Sequence, residues 1–233
     1  MSSNDYHFSA RTHRGRVRLA NEDALAISTA DCIEARCAGT IPNGGWALLA
    51  DGMGGHAAGR IAGQLAIECL RSLEHRLHAQ GGIEDAVAAA NVALFTAMRE
   101  DEALAGMGTT IAGVVLSQKG AVCFNVGDSR IYHHGKTLSL LSEDHVVDGH
   151  VLTQCLGGWN EADPPVPSIV EIEWKRSQRL LLCSDGLTDM LNDSEIAEIL
   201  DRRGSSAAEA LVDAALASGG HDNVTAIVIE RLG

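Results

Sequence analysis

Between Thr109 and Leu141 four short strands follow one another with only a turn between each pair. Ile111–Leu116, Ala121–Val126, Arg130–His133 and Leu138–Leu141 are apolar or alternating runs, punctuated by Lys119-Gly120, Gly127-Asp128 and Gly135-Lys136. Parallel neighbours need a crossover of about a dozen residues or more, so connections this short call for antiparallel pairing. The spacing predicts an antiparallel meander and disfavours a doubly wound parallel sheet.

Something must cover that sheet, and the preceding segment supplies it. Ala62, Leu65, Ala66, Cys69, Leu70, Leu73 and Leu77 recur with a period near 3.6, and Gly81-Gly82 breaks the run. Ile83, Ala86, Val87, Ala90, Leu94, Ala97 and Met98 then mark one face of a second helix. Two amphipathic helices in succession predict a helical layer packed on a sheet.

Elsewhere, Tyr6–Thr12 and Ala24–Ser28 read as strands, 32–45 as a loop of small residues, and Trp46–Ala50 as a short buried strand. Residues 144–167, with Gly157-Gly158 and three of the four prolines, read as a surface loop. Arg179–Cys183 is another apolar strand, and 223–230 closes the chain as a strand. Asn192…Glu195 and Ser206…Glu209 have the spacing of capping boxes at the starts of two more helices. We find no linker, repeat or low-complexity tract. The expectation is one domain over residues 1–233, of the α+β class, with antiparallel sheets and segregated helices.

Composition narrows the function. Hydrophobic residues make up 45 % and charged residues 21 % of the 233, enough to build a core. The formal net charge is −13, which repels nucleic acid and anionic membranes, so neither is an expected partner. Six cysteines form no CxxC pair and no zinc spacing, and Cys69, Cys123 and Cys183 sit in apolar runs, as buried free thiols of a reducing compartment do. The start Met1-Ser2-Ser3-Asn4-Asp5 has no signal-peptide pattern, and no stretch reaches the roughly 18 apolar residues of a membrane span. A cytoplasmic location is expected.

Four acidic positions share one local grammar, in which an apolar strand ends, an aspartate follows, and a glycine or other turn residue lies beside it. They are Asp51 before Gly52, Asp128 after Gly127, Asp185 before Gly186, and Asp222 in Gly219-Gly220-His221-Asp222-Asn223. Asn21-Glu22-Asp23, just before a strand, adds a fifth acidic point. Any one of these alone serves a turn equally well, because aspartate bonds nearby backbone. Together, strand ends converging on one edge of a sandwich would gather carboxylates that repel unless cations neutralise them. Oxygen donors without a cysteine or histidine cluster favour Mg²⁺ or Mn²⁺ over zinc. Gly52 permits close approach of its carbonyl to an ion. Two such ions about 3.5–4 Å apart clamp a water, lower its pKa and aim it at phosphorus. They also supply positive charge that an acidic protein needs for an anionic substrate. Arg18 is the candidate phosphate grip, with Arg11, Arg14 and Arg16 competing for that task.

The sequence resembles the protein phosphatase 2C family of metal-dependent serine/threonine phosphatases, in its bacterial form. The resemblance runs from Gly15 to Thr225 through elements in family order: Arg18…Asn21-Glu22-Asp23-Ala24, Asp51-Gly52-Met53-Gly54-Gly55-His56, Gly108-Thr109-Thr110, Val126-Gly127-Asp128-Ser129-Arg130, Ser184-Asp185-Gly186-Leu187 and Gly219…Asp222-Asn223-Val224-Thr225. It implies a four-layer α/β/β/α sandwich, two central antiparallel β-sheets flanked by helix pairs, with metals in a cleft at one edge. It implies that Asp51 bridges two Mg²⁺ or Mn²⁺ ions, that the Gly52 carbonyl binds one, and that Asp185 and Asp222 complete that side. Glu22 and Asp23 would hold the other ion directly or through water. Arg18 would bind phosphate, Asp128 with Asp185 would form a third, weaker metal site, and Asn223 would orient Asp222 or the backbone. Phosphorylated proteins, and a bacterial serine/threonine kinase that makes them, are the implied partners.

Two departures stand out. Eukaryotic relatives carry a proton-donating histidine where this chain has Met53, which leaves the general acid among His56, His145 and a water. Bacterial members carry a longer flap than the residues 146–155 found here, within a shortened flap at about 144–157, so a more open cleft is expected. An inactive phosphoprotein-binding relative would have lost ligands, whereas every family carboxylate is present. A nucleotide hydrolase is disfavoured by the lack of a Gly-x-x-x-x-Gly-Lys loop.

Overall fold

Side-chain alternation within single strands decides the layering. In Arg179–Cys183, Leu180 and Leu182 pack into an interior between two sheets, while Leu181 and Cys183 face helices outside. Trp46–Ala50 repeats the arrangement, with Ala47 and Leu49 turned inward and Trp46, Leu48 and Ala50 turned to the other helix pair. Strands apolar on both faces must be covered on both faces, so four layers result. The computed structural model describes residues 6–30, 36–55, 57–148, 151–203 and 206–231.

One sheet has six strands in the order Leu138–Leu140, Arg130–His134, Arg179–Cys183, Val224–Arg231, Tyr6–His13, Arg36–Ile41. The other has five, in the order Ser168–Glu173, Gly120–Val126, Ile111–Leu116, Trp46–Ala50, Ala24–Ile27. Every pairing is antiparallel. Helices Ala57–Ser72 and Gly82–Glu100 cover the five-stranded sheet, and helices Asp193–Arg203 and Ala207–Ala217 cover the six-stranded one. The expected α+β sandwich of two antiparallel sheets between helix pairs is the fold. At the start of helix Asp193–Arg203 the capping box closes, Glu195 N–H donating to Asn192 Oδ1 (3.1 Å) and Asn192 N–H to Glu195 Oε2 (2.9 Å). Ser206 caps the next helix without a side-chain cap bond.

Four local expectations need correction. The run from Thr109 to Leu141 is not one meander. Its first hairpin belongs to the five-stranded sheet and its second to the six-stranded sheet, and Gly127-Asp128 is the crossing point. Gly127 takes φ +100, and a Cβ there would lie 2.6 Å from Thr110 Cγ2, so only glycine fits this corner. Part of the supposed 32–45 loop, Arg36–Ile41, is an edge strand on Tyr6–His13, hidden in the sequence because small exposed residues leave no alternation. The first long helix stops at Ser72, where the Leu73 N–H is shared between the Cys69 and Leu70 carbonyls and the chain tightens into the 3₁₀ turn Glu74–Arg76. Residues 144–167 contain short antiparallel pairings, Val146–Val147 with Val151–Leu152 and Leu156–Gly157 with Gly108–Thr109.

Cys69, Cys123, Cys155 and Cys183 are free, and burial pushes the Cys123 and Cys183 thiols up to about 12, so they are inert packing residues. Cys37 is disulfide-bonded, which the free-thiol expectation did not foresee. No helix among the described residues is long and apolar enough to cross a membrane.

Candidate active site

Pairing register brings the acidic strand ends to one edge. Ala24 pairs with Ala50, and Cys183 pairs with both Ala226 and Arg130, so Asp51, Asp128 and Asp185, which follow strands, and Asp23 and Asp222, which precede them, lie at the same end of the sandwich. Arg18, Glu22, Asp51, Gly52, Asp128, Asp185, Asp222 and Asn223 all line a single cleft of about 280 Å³ there. Asp23 does not line it. Asp23 is buried beneath, where Ser184 Oγ (2.9 Å) and Thr225 Oγ1 (2.6 Å) both donate to its Oδ2.

Backbone bonds fix the floor. Thr110 N–H and Thr109 Oγ1 both donate to the Asp51 carbonyl at 2.9 Å, and Asp51 N–H donates to Thr110 Oγ1 at 3.1 Å. Ser129 Oγ shares a 2.7 Å bond with Thr110 Oγ1, tying the Asp128 corner to the same hub. A Cβ on Gly52 would collide with the Gly59 carbonyl and approach the Glu22 carbonyl to 2.8 Å, so glycine is required by close approach of three segments. Thr109, Thr110, Ser184 and Thr225 stand within the sequence motifs, where nothing marks them for these tasks. Among them only Ser184, beside Asp185, is adjacent in the chain to an acidic strand end; Thr109, Thr110 and Thr225 reach their acids through the pairing of distant strands.

Asn223 pins the entrance loop. Its Oδ1 accepts from Glu22 N–H (2.7 Å), and its Nδ2 donates to the carbonyls of Arg14 and Ala20 (both 2.9 Å). It therefore orients the loop carrying Arg18 and Glu22 and also sits beside Asp222, whose Oδ1 accepts from its N–H at 2.7 Å. Asn223→Ala leaves these groups unpaired at a cost of about 2–3 kcal/mol. Its midpoint in a thermal melt is expected to fall by roughly 5–10 °C. A midpoint equal to the parent's would mean that water satisfies the loop as well as the amide does.

The electrostatics are those of crowded acids. Burial first, then the charges of Asp128 and Asp222, push Asp185 up to about 7. Burial pushes Asp23 up to about 6 against the opposing pull of Thr225 and Ser184. Asp51 is raised well above the ordinary carboxylate range by burial and then by Asp23 and Asp185. Burial also raises Asp128. Arg18 Nη2 meets Asp222 Oδ2 at 2.5 Å, and that bond holds the guanidinium's proton more tightly still.

Divalent ions fit this site. Asp23 Oδ1 and Asp185 Oδ1 are buried without a hydrogen-bond partner, which is costly unless something else takes their lone pairs. The donors are all oxygens, as Mg²⁺ and Mn²⁺ prefer. Among the described residues no group of three or more His, Cys, Asp or Glu side chains stands ready-made as a metal cage. Mg²⁺ does not need one, since one or two carboxylates with several waters suffice. The orphaned oxygens and the raised carboxyls are what a bound cation would satisfy. His145 is not in the cleft; its Nδ1 accepts from Gly127 N–H (3.1 Å) and its Nε2 faces Ser168 Oγ (3.4 Å), so it is a strut for the Asp128 corner. His56 lies outside the described residues.

The family model of protein phosphatase 2C matches residues 16–218. The serine/threonine phosphatase Stp of Listeria monocytogenes is 31 % identical over 251 aligned positions, covering 97 % of this chain and 96 % of Stp. The crystallised serine/threonine phosphatase PstP of Mycobacterium tuberculosis superposes with a TM-score of 0.81 at 30 % identity, over 98 % of this chain and 100 % of that one. The catalytic domain of PstP in complex with two manganese ions gives a TM-score of 0.80 at 30 % identity, with the same coverage.

Proposed function

This chain belongs to the protein phosphatase 2C family, and from that premise we infer that it is a metal-dependent serine/threonine protein phosphatase, a hydrolase of phosphoserine and phosphothreonine in proteins. The observation that carries the reading is the gathering of acids from five separate segments into one cleft with Arg18 at its rim.

Asp51, the Gly52 carbonyl, Asp185 and Asp222 are the residues we assign to one side of a two-ion site, with Glu22 and the more deeply set Asp23 on the other. Asp128 beside Asp185 is assigned to a third, weaker site. The two manganese ions of the PstP domain support the stoichiometry, and oxygen donors suit Mg²⁺ equally. Bound there, such ions supply the positive charge that acidifies an attacking water and offsets the charge of the phosphate. The chain's own residues do the rest. Thr109 and Thr110 hold the Asp51 backbone, and Asn223 the entrance loop, in fixed geometry. Arg18 turns its guanidinium from Asp222 to two phosphate oxygens, a bidentate grip that orients phosphorus toward the floor. No described histidine lines the cleft, so we assign proton delivery to the leaving serine or threonine oxygen to a water.

The chain acts on phosphorylated proteins in this reading, in the cytoplasm, and resets sites written by a serine/threonine kinase. We also propose that residues 1–233 work as one catalytic domain with a short flap at about 144–157. Initial rates on phosphoserine and phosphothreonine peptides, nucleotides and p-nitrophenyl phosphate, each with Mg²⁺ or Mn²⁺, test the function. Phosphopeptide turnover is expected, with Arg18→Ala raising KM about 10–100-fold through loss of a charge-assisted grip. Turnover of nucleotides alone would make the chain a small-ester hydrolase, and capture without turnover a binding module.

A further inference from the structure

A second depression, of about 730 Å³, adjoins the metal cleft and shares Met53, Gly54 and Leu152 with it as a common wall. Its character is different. Leu152, Cys155, Trp159, Pro164, Pro165 and Val166 line it, and Trp159 is 85 % exposed while Val166 is 69 % exposed. Large apolar side chains left open together, beside a polar catalytic cleft, mark a place where something docks.

The groove is built rather than loose. The Trp159 indole lies against Gly106, whose φ is +74 and where any Cβ would run into the ring. Gly157 N–H donates to Asn91 Oδ1 (2.7 Å) and Gly158 N–H to the Met107 carbonyl (2.8 Å), fixing the backbone that carries the tryptophan. Val166 N–H donates to Gln154 Oε1 at 2.8 Å and ties the two walls together.

What occupies it follows from continuity with the cleft. A phosphorylated residue seated against Asp51 and Arg18 must carry its own chain out over the rim, and one side of that rim is this groove. An extended chain advances about 3.3 Å per residue, so a residue about two to four places from the phosphorylated one reaches the groove. We propose that the Trp159 groove is a substrate-specificity site that takes an apolar side chain of the phosphoprotein, two to four residues from the phosphorylated serine or threonine. This rests on the phosphatase reading above. Asp163 in the same lining disfavours an acidic residue there. Burying one leucine-sized side chain corresponds to a preference of about 10–100-fold.

Matched phosphothreonine peptides carrying Leu, Ala or Asp at two to four positions on either side test this, alongside p-nitrophenyl phosphate. The parent protein is expected to favour the Leu peptide about tenfold or more over the Ala peptide in kcat/KM. Trp159→Ala should erase that preference through KM while leaving kcat and p-nitrophenyl phosphate hydrolysis unchanged, and Trp159→Phe should keep most of it. Val166→Asp is a second exposed handle with the same expected loss. Equal kcat/KM for Leu and Ala peptides, or a preference that survives both Trp159→Ala and Val166→Asp, overturns the groove assignment with the phosphatase reading intact. Turnover of no phosphopeptide at all, with p-nitrophenyl phosphate hydrolysed, sinks both.

Discussion

Asp51→Asn is expected to reduce metal-dependent phosphopeptide hydrolysis on the order of 10³-fold or more while the metal-free protein becomes more stable, not less. The two halves share one cause. Asp51 sits where burial, Asp23 and Asp185 all oppose its negative charge, so the ionised carboxylate strains the empty fold. Asparagine has the same shape and no charge, and the backbone bonds that Asp51 makes to Thr109 and Thr110 persist. Catalysis loses a charged donor to the ions, which a neutral amide does not replace. A gain of about 1 kcal/mol raises the melting midpoint in chelator by roughly 2–4 °C for a chain of this size. The paired measurement is a phosphopeptide rate and a thermal melt in EDTA. A mutant that keeps its rate would remove Asp51 from the centre, and one that melts lower would show that its charge is already neutralised by other groups. Function bought at the cost of stability is the expected relation at such a site.

Removing the metal should also reverse how stability depends on pH. Asp185 at about 7 and Asp23 at about 6 both lie above the ordinary value of 3.8. Between about pH 4 and pH 7 the folded chain therefore holds protons that the unfolded chain has released. Stability falls as pH rises through that window, by on the order of a few kcal/mol, and these groups add no slope below it or above it. Divalent ions bind the deprotonated acids, so their stabilisation grows through the same window. At an ion concentration 100-fold above Kd it amounts to about 2.7 kcal/mol. Melts in EDTA and in saturating Mn²⁺ should thus nearly coincide at pH 5 and separate by roughly 5–10 °C at pH 7.5. A gap of constant size across that range would mean that the ions bind away from Asp23 and Asp185. Rates measured in the same buffers should drop to background with EDTA and return with Mn²⁺.

Asp51, Asp128 and Asp185 were legible before any fold because each follows an apolar strand and abuts a turn, whereas Asp222, expected to do the same, follows helix Ala207–Ala217 and, like Asp23, stands just before a strand. Their hydroxyl partners were harder. Ser184 and Thr225 lie 41 residues apart and meet only because Arg179–Cys183 pairs with Val224–Arg231. Asp23 shows the same limit: it reads as a cleft residue beside Glu22, yet strand alternation turns it inward to those hydroxyls. The strand Ser168–Glu173 was legible but overlooked, since Val170 and Ile172 alternate with Glu171 and Glu173, and its pairing with Gly120–Val126 places it at a sheet edge.

By itself the sequence determined the parts that rest on local periodicity: the helices on the five-stranded sheet, the apolar strands, the capping box at Asn192 and the row of strand-end carboxylates. The tertiary structure alone decided which sheet each hairpin joins, that Arg18 grips Asp222, and that Trp159 stands open beside the cleft. The reason is physical. A 3.6-residue or two-residue period is imposed on a chain by its own backbone, whereas the partner of a strand or a charge is set by which distant surfaces are buried together.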